Sequence, residues 1–488
     1  MSNQILSSLK PSKVWQYFEE ICQIPHPSKK EEKIAAYLVD FGKKNNLETL
    51  QDEIGNVLIR KPATKGFENK ESVVLQSHMD MVCEKNNDTI FDFDKDAIIP
   101  YIDNGWVKAK GTTLGADDGI GVAMQLALLA TNDIQHGPLE CLFTVDEETG
   151  LSGAEALKPD FLKSKFLLNL DSEDEGQLFI GCAGGKDTVA FFKYTTDAIN
   201  SNVDAIKISV SGLKGGHSGD DINKGLGNAV KILNRILWNA AQSVDLRIAN
   251  IDAGNLRNAI AREGYAIVTL PQSQKTIFDK IITTLTIQIK DELKTNEPGL
   301  QITYSSTEMP KNVIDKDTQK RLLYALYACP HGVIAMSPDI KGLVETSTNL
   351  ASVKFKDAKI VISTSQRSSV ESSKNDIVDM VDTVFVLAGA ETTHGDGYPG
   401  WKPNTNSKIL TITKDSYKKL FNKEPLVLAI HAGLECGLIG EKYPEMDMIS
   451  YGPTLRGVHS PDERIEIESV QAFWDLTLEI LKNIPEKK

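Results

Sequence analysis

The sequence predicts an α/β protein: a mixed, mainly parallel sheet flanked by helices, interrupted by an inserted α+β domain. Three observations predict it. Short continuous apolar runs, such as Val73-Val-Leu-Gln-Ser-His, read as strands buried on both sheet faces. Helical stretches alternate with those runs, the order that builds a parallel sheet. Between them lies a long segment whose strands alternate apolar and polar residues, as half-exposed strands do.

The elements follow in order. Between residues 11 and 45, Val14, Phe18 and Ile21 recur on one helical face, then Ile34, Leu38 and Phe41. A short strand follows Gly55, and the buried strand ending at His78 comes next. Residues 119–130 form an apolar helix, and 139–145 and 166–170 are further strands. Near Lys186 the character changes. Residues 206–210 alternate as a strand, followed by a helix at 227–240, strands at 246–251 and 266–269, a helix at 276–294 and a strand at 301–304. A second round has a helix at 316–328, strands at 350–355 and 359–365, and a helix at 375–387. Two β-α-β-β-α-β-like rounds suggest two ferredoxin-like units. After Trp401 the α/β character resumes: a helix at 414–421, strands at 426–430 and 448–451, and a closing helix at 467–484. The expected division is one interrupted domain, 1–185 and 398–488, with an insert at 186–397.

Bulk properties bound the function. A chain of 488 residues is too long for one ordinary core. Hydrophobic content of 41% and charged content of 25% place it among globular proteins. The net charge of −13 argues against nucleic acid or an anionic membrane as partner, since both need a basic face. No apolar run approaches the ~20 residues that span a bilayer, and residues 1–10 lack the apolar core of a secretory signal. The six cysteines form no C-x-x-C pair, so neither a thiolate zinc cluster nor a disulfide framework is indicated. Cys141, inside an apolar strand, reads as a buried thiol. A reducing cytoplasm is the expected compartment.

Five short strings carry the chemistry: His78-Met-Asp80, Ala116-Asp117-Asp118-Gly119, Asp146-Glu147-Glu148-Thr149, Asn169-Leu-Asp171 and Gly457-Val-His459-Ser-Pro461. In open α/β sheets function sits past the carboxyl ends of strands, where four of the five fall. Asp117 instead opens a helix, whose dipole favours carboxylates. His78 and Asp80, two apart on an extended segment, point the same way. A carboxylate there fixes the tautomer of a ligating His; a core His beside a turn Asp is the plainer alternative. Asp117-Asp118 is a like-charge pair that a cation relieves when buried, or else a solvated helix cap. Glu147-Glu148 offers one carboxylate to a metal and one to a water proton, or is an exposed acidic turn. Pro461 holds His459 on an extended or turn segment. Each string is weak alone. Jointly they supply the His and carboxylate set that two divalent metals need in a hydrolytic site.

This set resembles the co-catalytic metallopeptidase family that includes carboxypeptidase G, aminoacylase, peptidase T and peptidase V, and the match extends along the whole chain. The resemblance implies that His78, Asp117, Glu148, Asp171 and His459 bind two divalent ions, zinc first, with manganese or cobalt as alternatives. It makes Asp117 the bridge, before a non-trans peptide bond to Asp118. Asp80 would orient His78, and Glu147 would be the general base. The insert would be a lid. His217, in Gly212-Leu-Lys-Gly-Gly-His-Ser-Gly, would steady the oxyanion. Asn258 would touch substrate, and Arg367 would grip its carboxylate by a bidentate pair. The doubled insert is similar to that of peptidase V, in which one half mimics a partner's lid; a homodimer through the insert stays open. The implied activity is hydrolysis of Xaa-His and similar dipeptides by metal-bound hydroxide. The same motifs serve N-acyl amino acid deacylases, and that alternative stays open too. A non-catalytic member is disfavoured by the intact Glu147. A nucleotide-binding protein is weaker still, because residues 115–121 lack the G-x-G-x-x-G spacing.

Overall fold

The computed structural model describes residues 5–487. The chain forms two compact units. The first holds the chain up to Gly181, Pro403–Ala429 and the chain from Leu434 onward; the second holds Cys182–Lys402 and Ile430–Gly433.

The first unit is built on an eight-stranded sheet. Its order is Glu48–Gln51, Val57–Lys61, Leu139–Thr144, Val73–His78, Phe166–Asn169, Asp447–Ser450, Gln177–Cys182 and Leu426–Ile430. The middle four strands run parallel. Val57–Lys61 joins them antiparallel at one side. Val73–His78 and Leu139–Thr144 are buried at every position, the polar Gln76, Ser77, His78, Glu140 and Thr144 included. Cys141 is fully buried within the second of these. The Ala116–Leu129 helix is apolar almost all round because it is covered on both sides, lying on Val73–His78 and under the Ser12–Ile21 helix. Val14, Trp15, Phe18 and Ile21 bury completely in that contact, worth about 1.5–3 kcal/mol per large apolar side chain. Ser407 caps the Lys408–Phe421 helix by accepting from the Leu410 N–H, and Asn422 ends it in the left-handed region.

A second, four-stranded sheet was not expected from the sequence. It pairs Leu455–Arg456, Arg464–Glu466, Trp106–Ala109 and Pro100–Asp103. Its strands are only two to four residues long. It matters because it joins the segment before Asp117 to the segment after His459.

The second unit carries a nine-stranded sheet. One end has the order Gln301–Ser306, Val203–Ser211, Gly264–Pro271, Arg247–Gly254, a ferredoxin-like 4-1-3-2 arrangement. The other end runs Val344–Lys356, Lys359–Ser368, Gly184–Lys193, Glu391–His394, with Gly332–Met336 beside the first of these. The second round thus takes its first strand from Gly184–Lys193, ahead of the whole first round. The two rounds join edge to edge where Arg247–Gly254 meets Val344–Lys356. The helices Ala229–Ala241, Lys275–Leu293, Lys316–Ala328 and Glu371–Leu387 share one core, with Ile236, Phe278, Leu322 and Phe385 at its centre.

Among the described residues no helix is long and apolar enough to cross a membrane, and no two cysteines are joined.

Candidate active site

The site of the first unit lies where the central strands end. His78 is the last residue of its strand and only 1% exposed. Its Nε2 stands 3.1 Å from Asp117 Oδ1 and 3.6 Å from Asp171 Oδ1. Asp171 follows the neighbouring strand Phe166–Asn169. On the other side of Asp117, His459 Nε2 lies 3.2 Å from Asp117 Oδ2 and 3.1 Å from Glu148. His78, Asp117 and Asp171 therefore form one group of converging ligand atoms, and Asp117, Glu148 and His459 a second. Asp117 belongs to both. The five residues drawn from the sequence as metal ligands are the members of these two groups.

Local structure explains how each arrives. Asp117 and Asp118 depart from helical backbone, and the peptide bond between them is cis; regular helix begins after them. Glu147 and Glu148 open a one-turn helix, Glu147–Gly150, after Asp146 reverses the chain at φ 52°. The strand-end expectation needs one correction. His459 does not follow a strand of the main sheet but sits in the turn between Leu455–Arg456 and Arg464–Glu466 of the small sheet. Its φ is 60°, and the ring is half exposed.

The Asp80 carboxylate holds four partners. Its Oδ1 lies 3.3 Å from His78 Nδ1 and accepts the Glu147 N–H at 3.0 Å. Its Oδ2 accepts from Ser28 Oγ at 2.7 Å and from the Glu148 N–H at 3.3 Å. Burial opposes its ionisation, but these bonds win and hold it at about 2. It therefore fixes both the His78 ring and the turn that presents the two glutamates.

The protein's own charges leave the cluster unbalanced. Burial lowers the basicity of His78, yet Asp171 and Asp117 outweigh it and raise it well above the usual range. Asp117 and Glu148 push His459 up to about 11. Burial raises Asp118 and Asp171 well above ordinary carboxylates. Asp118 Oδ2 is buried without a hydrogen-bond partner. Burial, with Glu435, Glu148 and Asp117 nearby, pushes Glu147 up to about 8 against the pull of His78.

This donor set fits two divalent cations. Two ligand atoms about 2.0–2.2 Å from one tetrahedral ion lie roughly 3.3 Å apart, and the spacings above run from 3.1 to 3.6 Å. Mixed imidazole and carboxylate sites suit zinc, and also manganese and cobalt.

Sequence reasoning missed two buried carboxylates here. Glu435, the first residue of the helix Glu435–Lys442, accepts at Oε2 from Gln76 Nε2 at 2.5 Å and from Thr144 Oγ1, the strand partner of His78, at 3.0 Å. Glu463 binds the backbone ahead of Asp117. Glu463 stands in the charged run Asp462-Glu463-Arg464 and Glu435 in the string Leu434-Glu435-Cys436, and neither carries a local mark of burial.

The second unit holds the other three candidates. His217 Nδ1 lies 3.3 and 3.2 Å from the N–H groups of Gly219 and Asp220 and 3.3 Å from Asp220 Oδ2. Its loop is zipped to that of Asn258: Ser218 N–H donates to Asn258 O, and Ile260 N–H to Gly216 O. The Asn258 side chain is exposed. Arg367 lies near the end of Lys359–Ser368 and is 7% exposed; its Nη1 donates to Tyr398 Oη at 3.0 Å, and its buried Nε has no partner. Its charge reaches Asp220, beside His217. Arg367 also acts on His431, the first residue of the string His431-Ala-Gly-Leu-Glu-Cys-Gly437, to which the sequence reading gave no site role; its Nε2 is 2.8 Å from Ser347 Oγ.

The fold and this site define a class. Residues 74–483 match the peptidase family M20/M25/M40, and the chain belongs to that family. A curated relative, the cytosol non-specific dipeptidase of Escherichia coli (strain K12), is 46% identical over 482 residues, covering 99% of each chain. The crystal structure of the aminoacylhistidine dipeptidase from Vibrio alginolyticus superposes with a TM-score of 0.95 at 45% identity, covering 99% of each chain. The aminopeptidase PepT of Bacillus cereus ATCC 10987, at 16% identity and a TM-score of 0.57 over 98% of this chain and 99% of that one, shares the fold.

Proposed function

We propose that the protein is a metal-dependent dipeptidase that hydrolyses Xaa-His and similar dipeptides. The observation that carries this is Asp117, shared between two His–carboxylate groups with Glu147 beside them. The whole-length similarity to two dipeptidases supports it.

His78, Asp117 and Asp171 would hold one ion, and Asp117, Glu148 and His459 the other. Two divalent ions there, zinc first and manganese or cobalt as alternatives, supply charge that polarises a carbonyl and acidifies water. Glu147 takes the proton from the attacking water and returns it to the leaving amine. Burial raises the Glu147 pKa above the ordinary carboxylate range, the direction that both transfers need. Asp80 keeps the His78 ring and the Glu147 turn in place. His217 donates a ring N–H to the developing oxyanion. Asn258 contacts the substrate backbone, and the Arg367 guanidinium, with its unpartnered Nε–H, binds the substrate carboxylate. The insert at 186–397 acts as a lid between the catalytic segments 1–185 and 398–488. A homodimer through that insert is a further proposal, as is a cytoplasmic location, which agrees with unlinked cysteines and a relative named as cytosolic.

A panel of dipeptides, tripeptides and N-acyl amino acids tests the reading. Dipeptides should be cleaved, and chelator should abolish the activity. Preferred cleavage of N-acyl amino acids would replace the reading with a deacylase.

A further inference from the structure

Glu463 lies four residues beyond His459 and takes no part in the chemistry above. It is 3% exposed. Its two oxygens collect four consecutive backbone N–H groups. Oε2 accepts from Leu114 at 2.7 Å and Gly115 at 3.1 Å; Oε1 accepts from Ala116 at 2.8 Å and Asp117 at 3.3 Å. Four successive N–H groups converge only if the chain curls, and Gly115 permits it at φ 69°. The last of the four belongs to Asp117.

The backbone of Glu463 is fixed as well. Its N–H donates to Ser460 O at 3.0 Å, within the turn that carries His459. Ser460 Oγ donates to Gly457 O and accepts the Asp462 N–H in the same turn. The following strand, Arg464–Glu466, pairs with Trp106–Ala109, which leads into the Leu114–Asp117 loop. A strand pair and one carboxylate thus join two loops whose metal-ligand candidates are 342 residues apart in the chain.

We infer that Glu463 is a positioning residue of the metal centre: its carboxylate sets the placement of Asp117 relative to His459, and so the geometry of both ion sites. This placement rests on the metal-site reading proposed above. A glutamate that only satisfied loop N–H groups would leave the metal sites unchanged when replaced in a folded protein.

Glu463→Gln keeps the side-chain shape but offers one oxygen and turns an NH₂ toward two N–H donors. Chelator competition with zinc and with cobalt, on wild type and variant, tests the inference. Two tightly held ions in the wild type check the metal-site reading on its own. The folded variant should bind metal about 10–100-fold more weakly, and the visible spectrum of its cobalt form should shift. Wild-type affinity and an unchanged cobalt spectrum would overturn the role of Glu463 while leaving the two-ion site standing. Glu463→Asp keeps the charge but retracts it by one methylene, and it should also lose affinity; wild-type affinity there overturns the role equally. Should neither variant fold, amide exchange in the wild type decides. Amides 114–117 should be protected and should slow further when zinc is added, whereas no response to zinc contradicts the inference.

Discussion

His459 and Asp117 are 342 residues apart in the chain, yet Nε2 of one stands 3.2 Å from Oδ2 of the other. The second oxygen of Asp117 faces His78 at 3.1 Å. One carboxylate therefore turns one oxygen to each imidazole. That is the geometry of a ligand shared by two cations, and the expectations below depend on it.

Asp80→Asn should loosen the site without removing a ligand. The amide offers one acceptor oxygen where the carboxylate offers two, so it cannot serve the Glu147–Glu148 turn and His78 Nδ1 together, and the ring keeps only the Asp80 carbonyl oxygen at 3.1 Å. Metal affinity is expected to fall by about 10–100-fold, the usual cost of losing a ligand's outer partner. Competition with a chelator measures it, and unchanged affinity would remove Asp80 from the support of His78.

Glu147→Gln should retain both metals and lower turnover by about 10²–10⁴-fold, the usual contribution of a positioned base. The base acts ionised, so activity rises with pH through its titration. Burial pushes Glu147 from 4.5 up to about 8, and bound cations pull it back. The acid limb of kcat/KM should therefore fall between those values and vanish in the Gln variant. An identical acid limb in the variant would assign it to another group.

Arg367→Ala should weaken handling of free-acid dipeptides by about 1.5–3 kcal/mol in kcat/KM, the range for a hydrogen bond to a charged group. C-terminally amidated dipeptides should be poor substrates of the wild type and change little in the variant. Equal cleavage of amides and free acids by the wild type would contradict the clamp.

The second unit should be acid-sensitive. Burial pushes His431 and His331 down to about 4, with Arg367 and Lys231 adding to it respectively. Both imidazoles are neutral above about 6.5 in either state and cost nothing there. As pH falls from about 6.5 toward 4, the unfolded chain takes up protons that the folded chain refuses, and stability is lost. The loss is of the order of 3 kcal/mol per imidazole at full titration. Urea unfolding at pH 7 and pH 4.5 measures it, with His431→Gln expected to reduce the difference. A difference as large in that variant would point to other groups.

The central strands and their terminal residues were legible because burial on both faces leaves a short apolar run, as in Val73-Val-Leu75 ahead of His78. The helix at Lys316–Ala328 was legible from its 3.6-residue period. The small sheet was not. Its strands are only two to four residues long, and Trp106–Ala109 pairs with Arg464–Glu466, far away in sequence, so no local pattern marks it. Gly184–Lys193 was missed for a related reason: it opens on two glycines and pairs with Lys359–Ser368 rather than with a sequence neighbour. The metal-ligand candidates were readable because each sits in a short polar string beside an apolar run. Glu463 and Glu435 were not, because a single buried glutamate looks in sequence like any exposed one.

The measurement that bears most directly on the shared Asp117 is metal content against activity. Metal-stripped protein is titrated with zinc, and bound ions per chain are counted while dipeptide hydrolysis is followed. Activity should reach its plateau at about two ions per chain, and Asp117→Asn should not hold two ions under the same conditions. Full activity at one ion per chain, or two tightly held ions in Asp117→Asn, would contradict a site built around that carboxylate.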